Sequence, residues 1–254
     1  MDLKEVSGME YMPGSELIWV IQDSGNESIL HGLDRSGQVK AEVAINIKNN
    51  DWESIAADAK GNIYIGDFGN NDNDRTDLAI YKVDSKALKG ERAEVSAAIK
   101  FRYPEQKDFP PGKGNRLFDC EAFYEHNGSF YLFTKNRSAK SDGTFYVYKI
   151  PNTAGNHPAQ LIGTLKTCND KSCQVTGADI SPDGKTAVLI TEDKLFMLTG
   201  FSSDNFNDTA IDVLDLKHVS QKEGVCFTDD RTLIISDERT KKTGGKLYEV
   251  NLDH

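Results

Sequence analysis

The stretch Asp51-Trp52-Glu53-Ser54-Ile55-Ala56, then the turn Lys60-Gly61, then the run Asn62 to Ile65, reads as two short apolar strands joined by a tight hairpin. The same phrase occurs five times. It opens at Ser7-Gly8-Met9, Glu53-Ser54-Ile55, Glu121-Ala122-Phe123, Thr176-Gly177-Ala178 and Glu223-Gly224-Val225. The answering strands are Leu17 to Ile21, Asn62 to Ile65, Phe130 to Phe133, Ala187 to Ile190 and Leu233 to Ile235, all rich in β-branched or aromatic residues. Turn signals precede them at Pro13-Gly14, Lys60-Gly61, Asn127-Gly128, Pro182-Asp183-Gly184 and Asp229-Asp230.

Each phrase continues outward. Third strands are expected at Ile29 to Leu33, Ala79 to Val83, Phe145 to Ile150, Leu195 to Leu198 and Leu247 to Val250. Weaker fourth strands follow at Val39 to Ile45, Val95 to Phe101, Gln160 to Leu165 and Ile211 to Leu216. Four antiparallel strands per repeat of this length make a propeller blade. The phrase starts lie 46, 68, 55 and 47 residues apart, and the longest interval is filled by one insertion, Tyr103 to Leu117, so no sixth blade hides between them. The expectation is an all-β, five-bladed β-propeller of four-stranded antiparallel blades, a single domain over residues 1–254. The fifth blade is expected to be incomplete at the C-terminus, because the chain stops after its third strand.

With 38% hydrophobic and 28% charged residues the chain is too apolar for disorder. Its formal net charge of −10 repels phosphate backbones and anionic lipid, which argues against nucleic acid and membrane surfaces as partners. It holds no run of about 18 apolar residues, so no membrane span is expected. A monomer is expected. Cys168 and Cys173 flank a polar loop that a disulfide would close, whereas Cys120 and Cys226 lie beside or within inner strands and read as buried thiols. The bridge implies a periplasmic or extracellular protein, with any signal or anchor segment outside these residues.

In a four-stranded meander the first strand begins on the face where the second ends. The positions Ser7, Glu53, Glu121, Thr176 and Glu223 therefore share a rim with Asp23, Asp67, Lys135, Glu192 and Asp237. The spacing between the two sets is 14 residues in blades two, three and five and 16 in blades one and four. The loops after the second strands open on the same face. They carry Asn70, Asn71, Asn73, Asp74 and Arg75, then Asn136, Arg137 and Lys140, then Arg239, Lys241 and Lys242; the insertion adds Arg116 and Asp119. Long polar loops on one face are where a propeller places function.

Five oxygen-bearing side chains at equivalent inner-strand starts would gather around the axis. Three carboxylates there repel unless protonated or bridged by a cation, and calcium accepts glutamate, hydroxyl, carbonyl and water oxygens together. Ser7, Glu53, Glu121, Thr176 and Glu223 are thus the expected metal ligands, with calcium the expected ion. The alternative is that they cap neighbouring strand ends. The loop Asp67 to Asp74 reads as a shaped rim segment, since it lacks the EF-hand spacing and terminal Glu. Arg75, Arg116, Lys135, Arg137 and Arg239, with Asp67 and Asp237, form the expected ligand-binding set. They either hold an anion or pair with rim carboxylates. Asp119 and Asp67 are the candidate catalytic carboxylates. The five histidines do not recur at rim positions, so a histidine metal site or triad is unsupported.

The order Ser, Glu, Glu, Thr, Glu, with the phrases Ser7-Gly8-Met9-Glu10, Asp51-Trp52-Glu53, Cys120-Glu121-Ala122 and Lys222-Glu223-Gly224-Val225, resembles the calcium-dependent apyrase (soluble nucleotidase) family. That resemblance implies a five-bladed propeller with one calcium in its channel, held by Ser7, Glu53, Glu121, Thr176 and Glu223. The arginine-rich phosphate-facing loops of that family are not clearly matched. A wider resemblance is to bacterial exported five-bladed propellers. It rests on Asp51 to Ala56, Tyr64 to Asn71 through Arg75, Asp119 to Phe123, Leu132 to Lys135 and Val175 to Ser181, and it implies fold and export but no activity.

Three functions compete. The first is a propeller with a central calcium that binds a small anionic ligand, a glycan or a protein on its long-loop face. The second is a calcium-dependent, apyrase-like hydrolase of a phosphate-type ester. The third is a scaffold whose ion is purely structural. Fold alone does not choose among them.

Overall fold

The computed structural model describes residues 1–12, 15–168, 171–239 and 243–252. The turn Pro13-Gly14, the loop cations Lys241 and Lys242 and the terminal His254 lie outside them.

Alternating apolar residues build five sheets in chain order. Blade one is β1 (Val6–Tyr11), β2 (Ile18–Gln22), β3 (Ile29–Leu33) and β4 (Val39–Ile45). Blade two is β5 (Trp52–Ala57), β6 (Ile63–Asp67) and β7 (Ala79–Val83), then, after the short β8 (Arg92–Ala93), β9 (Val95–Arg102). Blade three is β10 (Asp119–His126), β11 (Ser129–Lys135) and β12 (Thr144–Pro151), then, after β13 (Gly155–Pro158), β14 (Gln160–Lys166). Blade four is β15 (Gly177–Ile180), β16 (Thr186–Ile190), β17 (Lys194–Thr199) and β18 (Ala210–Asp215). Blade five has only β19 (Lys222–Phe227), β20 (Thr232–Asp237) and β21 (Leu247–Asn251). The protein is an all-β, five-bladed propeller, and its last blade is three-stranded.

Two blades differ from the four-stranded expectation. The β8 segment, which links the third and fourth strands of blade two, runs back to pair parallel with β4 of blade one. In the same way β13 of blade three pairs parallel with β9 of blade two. Each covers an outer edge that would otherwise present unpaired amides and carbonyls. Hydrophobic patterning marks strands but not this reach across to a neighbour.

The core is divided among the five blade interfaces. Trp19, Leu30 and Val43 pack against Trp52, Ile55 and Ile65 between blades one and two. Tyr64, Phe68 and Ile80 meet Phe123, Phe130 and Tyr148 between two and three. Tyr124, Phe133 and Val147 meet Val175, Leu189 and Phe206 between three and four. Val188, Ile190 and Leu195 meet Val225, Phe227 and Ile235 between four and five. The ring closes where Val6, Met9 and Val20 of blade one meet Cys226 and Ile234 of blade five. The N-terminal segment adds a strap: the Arg239 amide donates to Lys4 O at 2.8 Å and the Asp23 amide to Glu5 O at 2.9 Å.

No helix among the described residues is long and apolar enough to cross a membrane. Cys168 and Cys173 form the expected disulfide, and Cys120 and Cys226 are buried free thiols.

Neighbouring inner strands approach most closely at glycines of the repeated phrase. A Cβ on Gly8 would sit 2.9 Å from Ser54 Cα and 3.0 Å from Ile55 N, both backbone atoms of the next blade. Gly8→Ala therefore forces blades one and two apart. Urea unfolding should show a loss of about 1–3 kcal/mol, the usual cost of overpacking; an unchanged midpoint would mean the interface has slack that this geometry does not show.

Candidate functional site

The five inner strands, β1, β5, β10, β15 and β19, each pack against the next, and β19 packs against β1. They surround the axial channel. In four of them the ladder slips by one residue at the predicted ring position. Val6 pairs with Gln22 but Gly8 with Ile21; Trp52 with Asp67 but Ser54 with Gly66; Cys120 with Thr134 but Ala122 with Phe133; Lys222 with Asp237 but Gly224 with Ser236. Ser7, Glu53, Glu121 and Glu223 are the extra residues of these β-bulges, which re-aim the side chain out of the sheet's alternation. Thr176 stands just ahead of β15, its amide bonded to Ile190 O at 3.0 Å.

The two hydroxyls tie blades together. Ser7 Oγ donates to Trp52 O at 2.6 Å, and Thr176 Oγ1 donates to Lys222 O at 2.5 Å. The three glutamates differ in environment. Glu53 is buried, and burial followed by repulsion from Glu121 and Asp119 pushes its carboxyl well above the ordinary range. Glu223 is raised too, by burial with repulsion from Glu121, although Lys135 offsets part of the shift. Burial acts on Glu121 in the same direction, but Lys135 and Arg137 outweigh it and hold this carboxyl below its usual value. Lys135 Nζ lies 2.9 Å from Glu121 Oε2, and Arg137 Nη2 lies 2.7 Å from Oε1.

The predicted ligand-binding cations all face carboxylates. Arg137 Nε bonds Asp119 Oδ2 at 2.5 Å, and its Nη2 also reaches Asn71 Oδ1. Arg75 pairs with Asp67 at 2.9 Å and Asp77 at 3.0 Å, Arg116 with Asp72 at 3.6 Å, and Arg239 with Asp2 at 3.1 Å. The candidate catalytic carboxylates lie beneath this layer. Asp119 is fully buried, and its Oδ1 accepts the Asn70 amide at 2.7 Å. Asp67 is buried and accepts from Arg75, the Asp51 amide and Asn50 Nδ2. Asp237, also buried, accepts from the Lys246 amide and the Tyr248 hydroxyl, each at 2.8 Å. The Asn-rich loop latches blade two to blade three: Asn70 Nδ2 donates to Phe118 O at 3.0 Å, and Asn73 Oδ1 accepts the Phe118 amide at 2.8 Å.

A second acidic group was not picked out from the sequence. Asp23, Asp51 and Glu53 each offer an oxygen, and these oxygens lie within 4.8 Å of one another. Asp23 follows the end of β2, and Asp51 stands two residues before Glu53. The legible signal was that both sit on the rim already assigned to Glu53; their convergence across two blades was not legible. Burial, then Asp23, raises the Asp51 carboxyl to about 6. Glu238 is raised to about 7 by burial, then by Asp23 and Glu5. Among the described residues this side of the mouth has an excess of negative charge, whereas the Lys135–Arg137 side is neutralised.

No protein-family model matches the chain, and no curated protein sequence matches it. Solved structures do. A gluconolactonase from Xanthomonas campestris superposes with a TM-score of 0.54 at 13% identity, over 99% of this chain and 87% of that one. A chain of a nidogen/laminin complex gives a TM-score of 0.51 at 11% identity, over 98% and 76%. A Kuenenia stuttgartiensis hydrazine synthase chain gives 0.42 at 16% identity over 95% of this chain, which spans only 58% of that one. At these identities the first two likenesses show the propeller fold alone.

Among the described residues Arg137 is the cation paired with Asp119, which is fully shielded from water, whereas Glu121 keeps Lys135. Arg137→Ala should cost about 3–5 kcal/mol in urea unfolding, the penalty for leaving buried charge uncompensated. Adding Asp119→Asn should recover part of that loss. A single-variant loss under about 1 kcal/mol would mean that water replaces the guanidinium freely.

Proposed function

We propose that the protein is an exported binding propeller whose long-loop mouth holds a divalent cation, calcium by the chemistry of its donors, and presents the surrounding loops to a ligand or partner. One observation carries this reading: Asp23, Asp51 and Glu53 bring three carboxylate oxygens within 4.8 Å of one another. Like charges this close require protons or a cation. An all-oxygen carboxylate set with room for water suits a hard ion such as calcium. Glu53 is the ligand shared with the ring expected from sequence. Ser7 and Thr176 keep oxygen lone pairs while donating to the neighbouring blades, and Glu223 is near enough to Asp23 to be repelled by it; Glu121 is satisfied by Lys135 and Arg137. The disulfide between Cys168 and Cys173 supports export.

The alternative, a hydrolase of an anionic ester, needs cations free to hold the anion. Arg75, Lys135, Arg137 and Arg239 instead face carboxylates, which favours the binding reading. The same pairing makes a neutral glycan or a protein a better ligand for this face than a phosphate ester.

Calcium at about a hundred times its dissociation constant should stabilise the fold by about 2.7 kcal/mol relative to chelator, read as a rise in melting temperature. Asp23→Asn with Asp51→Asn should abolish the calcium increment. In chelator the same pair should melt no lower than wild type, because repulsion is removed, which separates a lost site from a lost fold. Identical melting curves in calcium and chelator would end the metal reading.

A further inference from the structure

The channel has a second mouth, on the face of the tight hairpin turns. A cavity of about 270 Å³ opens there. All five inner strands or their ends contribute to its wall: Glu10 and Tyr11 from β1, Ala57 from β5, Glu125 and His126 from β10, Asp179 and Ile180 from β15, and Phe227 from β19. It therefore lies on the propeller axis, about three residues along the inner strands from the ring positions.

Its chemistry is one-sided. Glu10, Asp58, Glu125 and Asp179 line it, and no lysine or arginine among the described residues does. Burial pushes the His126 imidazole below its ordinary value, which disfavours its cationic form. Glu10 and Asp179 are each only 7% exposed. Their hydrogen-bond donors are backbone amides: Ala57 to Glu10 Oε2 at 3.0 Å, and Ile180 and Phe227 to the two oxygens of Asp179, both at 2.7 Å. Burial, then repulsion from Asp179, raises the Glu10 carboxyl well above the usual range, and burial raises Asp179 to about 7.

The fold does not ask for these charges. Glu10 and Asp179 each stand three residues after a ring position, Ser7 and Thr176. The same positions in the other blades are Ala56, Tyr124 and Cys226, all buried without charge. Two shielded carboxylates with no cation among the described residues that line their cavity cost stability unless one pairs with them. The rest of the wall sets an apolar part, Tyr11, Ile180, Pro182 and Phe227, beside the polar His126, Asn127, Ser181 and Thr228. A hydrated divalent ion would gain nothing from the apolar part, whereas an organic cation covers it.

We propose that this cavity binds an organic ammonium ion of amino-acid size, its nitrogen between Glu10 and Asp179 and its apolar part against Tyr11, Ile180 and Phe227. The site is independent of the cation site at the long-loop mouth.

The test uses benzylammonium and its uncharged counterpart benzyl alcohol, by calorimetry and thermal shift, above the Asp179 pKa. Benzylammonium should bind and raise the melting temperature; benzyl alcohol should bind at least about tenfold more weakly. Glu10→Gln keeps an acceptor for the Ala57 amide and should weaken benzylammonium at least about tenfold, while Asp51→Asn at the other mouth should leave it unchanged. Asp179→Asn should act like Glu10→Gln; if that variant fails to fold, Glu10→Gln still decides. Equal binding of alcohol and ammonium overturns the proposal. So does binding indifferent to Glu10→Gln, or stabilisation by calcium through Glu10 with none by benzylammonium.

Asp179 contributes to a pH dependence, alongside Asp51, raised to about 6, and Glu238, raised to about 7, at the other mouth. Asp179 titrates near 3.8 when unfolded and at about 7 when folded, so its protonated form contributes stability that is full below 3.8 and lost as pH rises through about 7. Without ligand, urea stability should fall across that interval, and Asp179→Asn should flatten the slope; a slope unaffected by the substitution would show that other groups carry it.

Discussion

The structure depends on five apolar seams that must all form for every blade to be buried on both faces. A single blade is a small twisted sheet with two greasy sides, unstable alone. Each seam takes one side from each of two neighbours, and the seam between Val6, Met9 and Val20 and Cys226 and Ile234 closes the circle. No strand is shared between blades one and five among the described residues, so closure here rests on side-chain packing and the Met1–Glu5 strap. The glycines after Ser7, Thr176 and Glu223 follow from the same constraint, because inner strands must come within van der Waals contact near the axis.

That crowding creates the electrostatic problem at both mouths. Strands converging on an axis bring equivalent side chains together, whatever their charge. At the long-loop mouth the protein neutralises one side with Lys135 and Arg137, and among the described residues no cation forms an ion pair with Asp23, Asp51 or Glu53. The bulges explain how polar side chains reach the axis at all. In an unbroken strand Glu53 and Glu121 would follow the alternation into the apolar seams; one extra residue turns them out of it. At the other mouth Glu10 and Asp179 have only amides to hold them.

Much of this was legible in advance, for a definite reason. Strand alternation and turn residues are local, so a repeat carrying both announces blade number, strand positions and the rim on which the loops lie. The ring positions were legible because they recur. What did not recur was not legible. Whether Arg137 holds an anion or Asp119 depends on the distance between a loop of one hairpin and the strand before it, and the residue types permit both. The crossing of β8 and β13 to neighbouring edges leaves no periodic mark, since two to four residues of strand are too short to show one.

The sequence by itself determined the five-bladed propeller and the residues at the inner-strand starts, because each rests on a repeated pattern of residues close in the chain; the structure decided that Cys168 and Cys173 are bridged. Only the tertiary structure decided which charges meet. Asp23 with Asp51 and Glu53, Glu10 with Asp179, and Arg137 with Asp119 and Glu121 are brought together by ring closure and by bulges that change where a side chain points. Coulomb energy falls off over ångströms, and a linear sequence contains no ångströms.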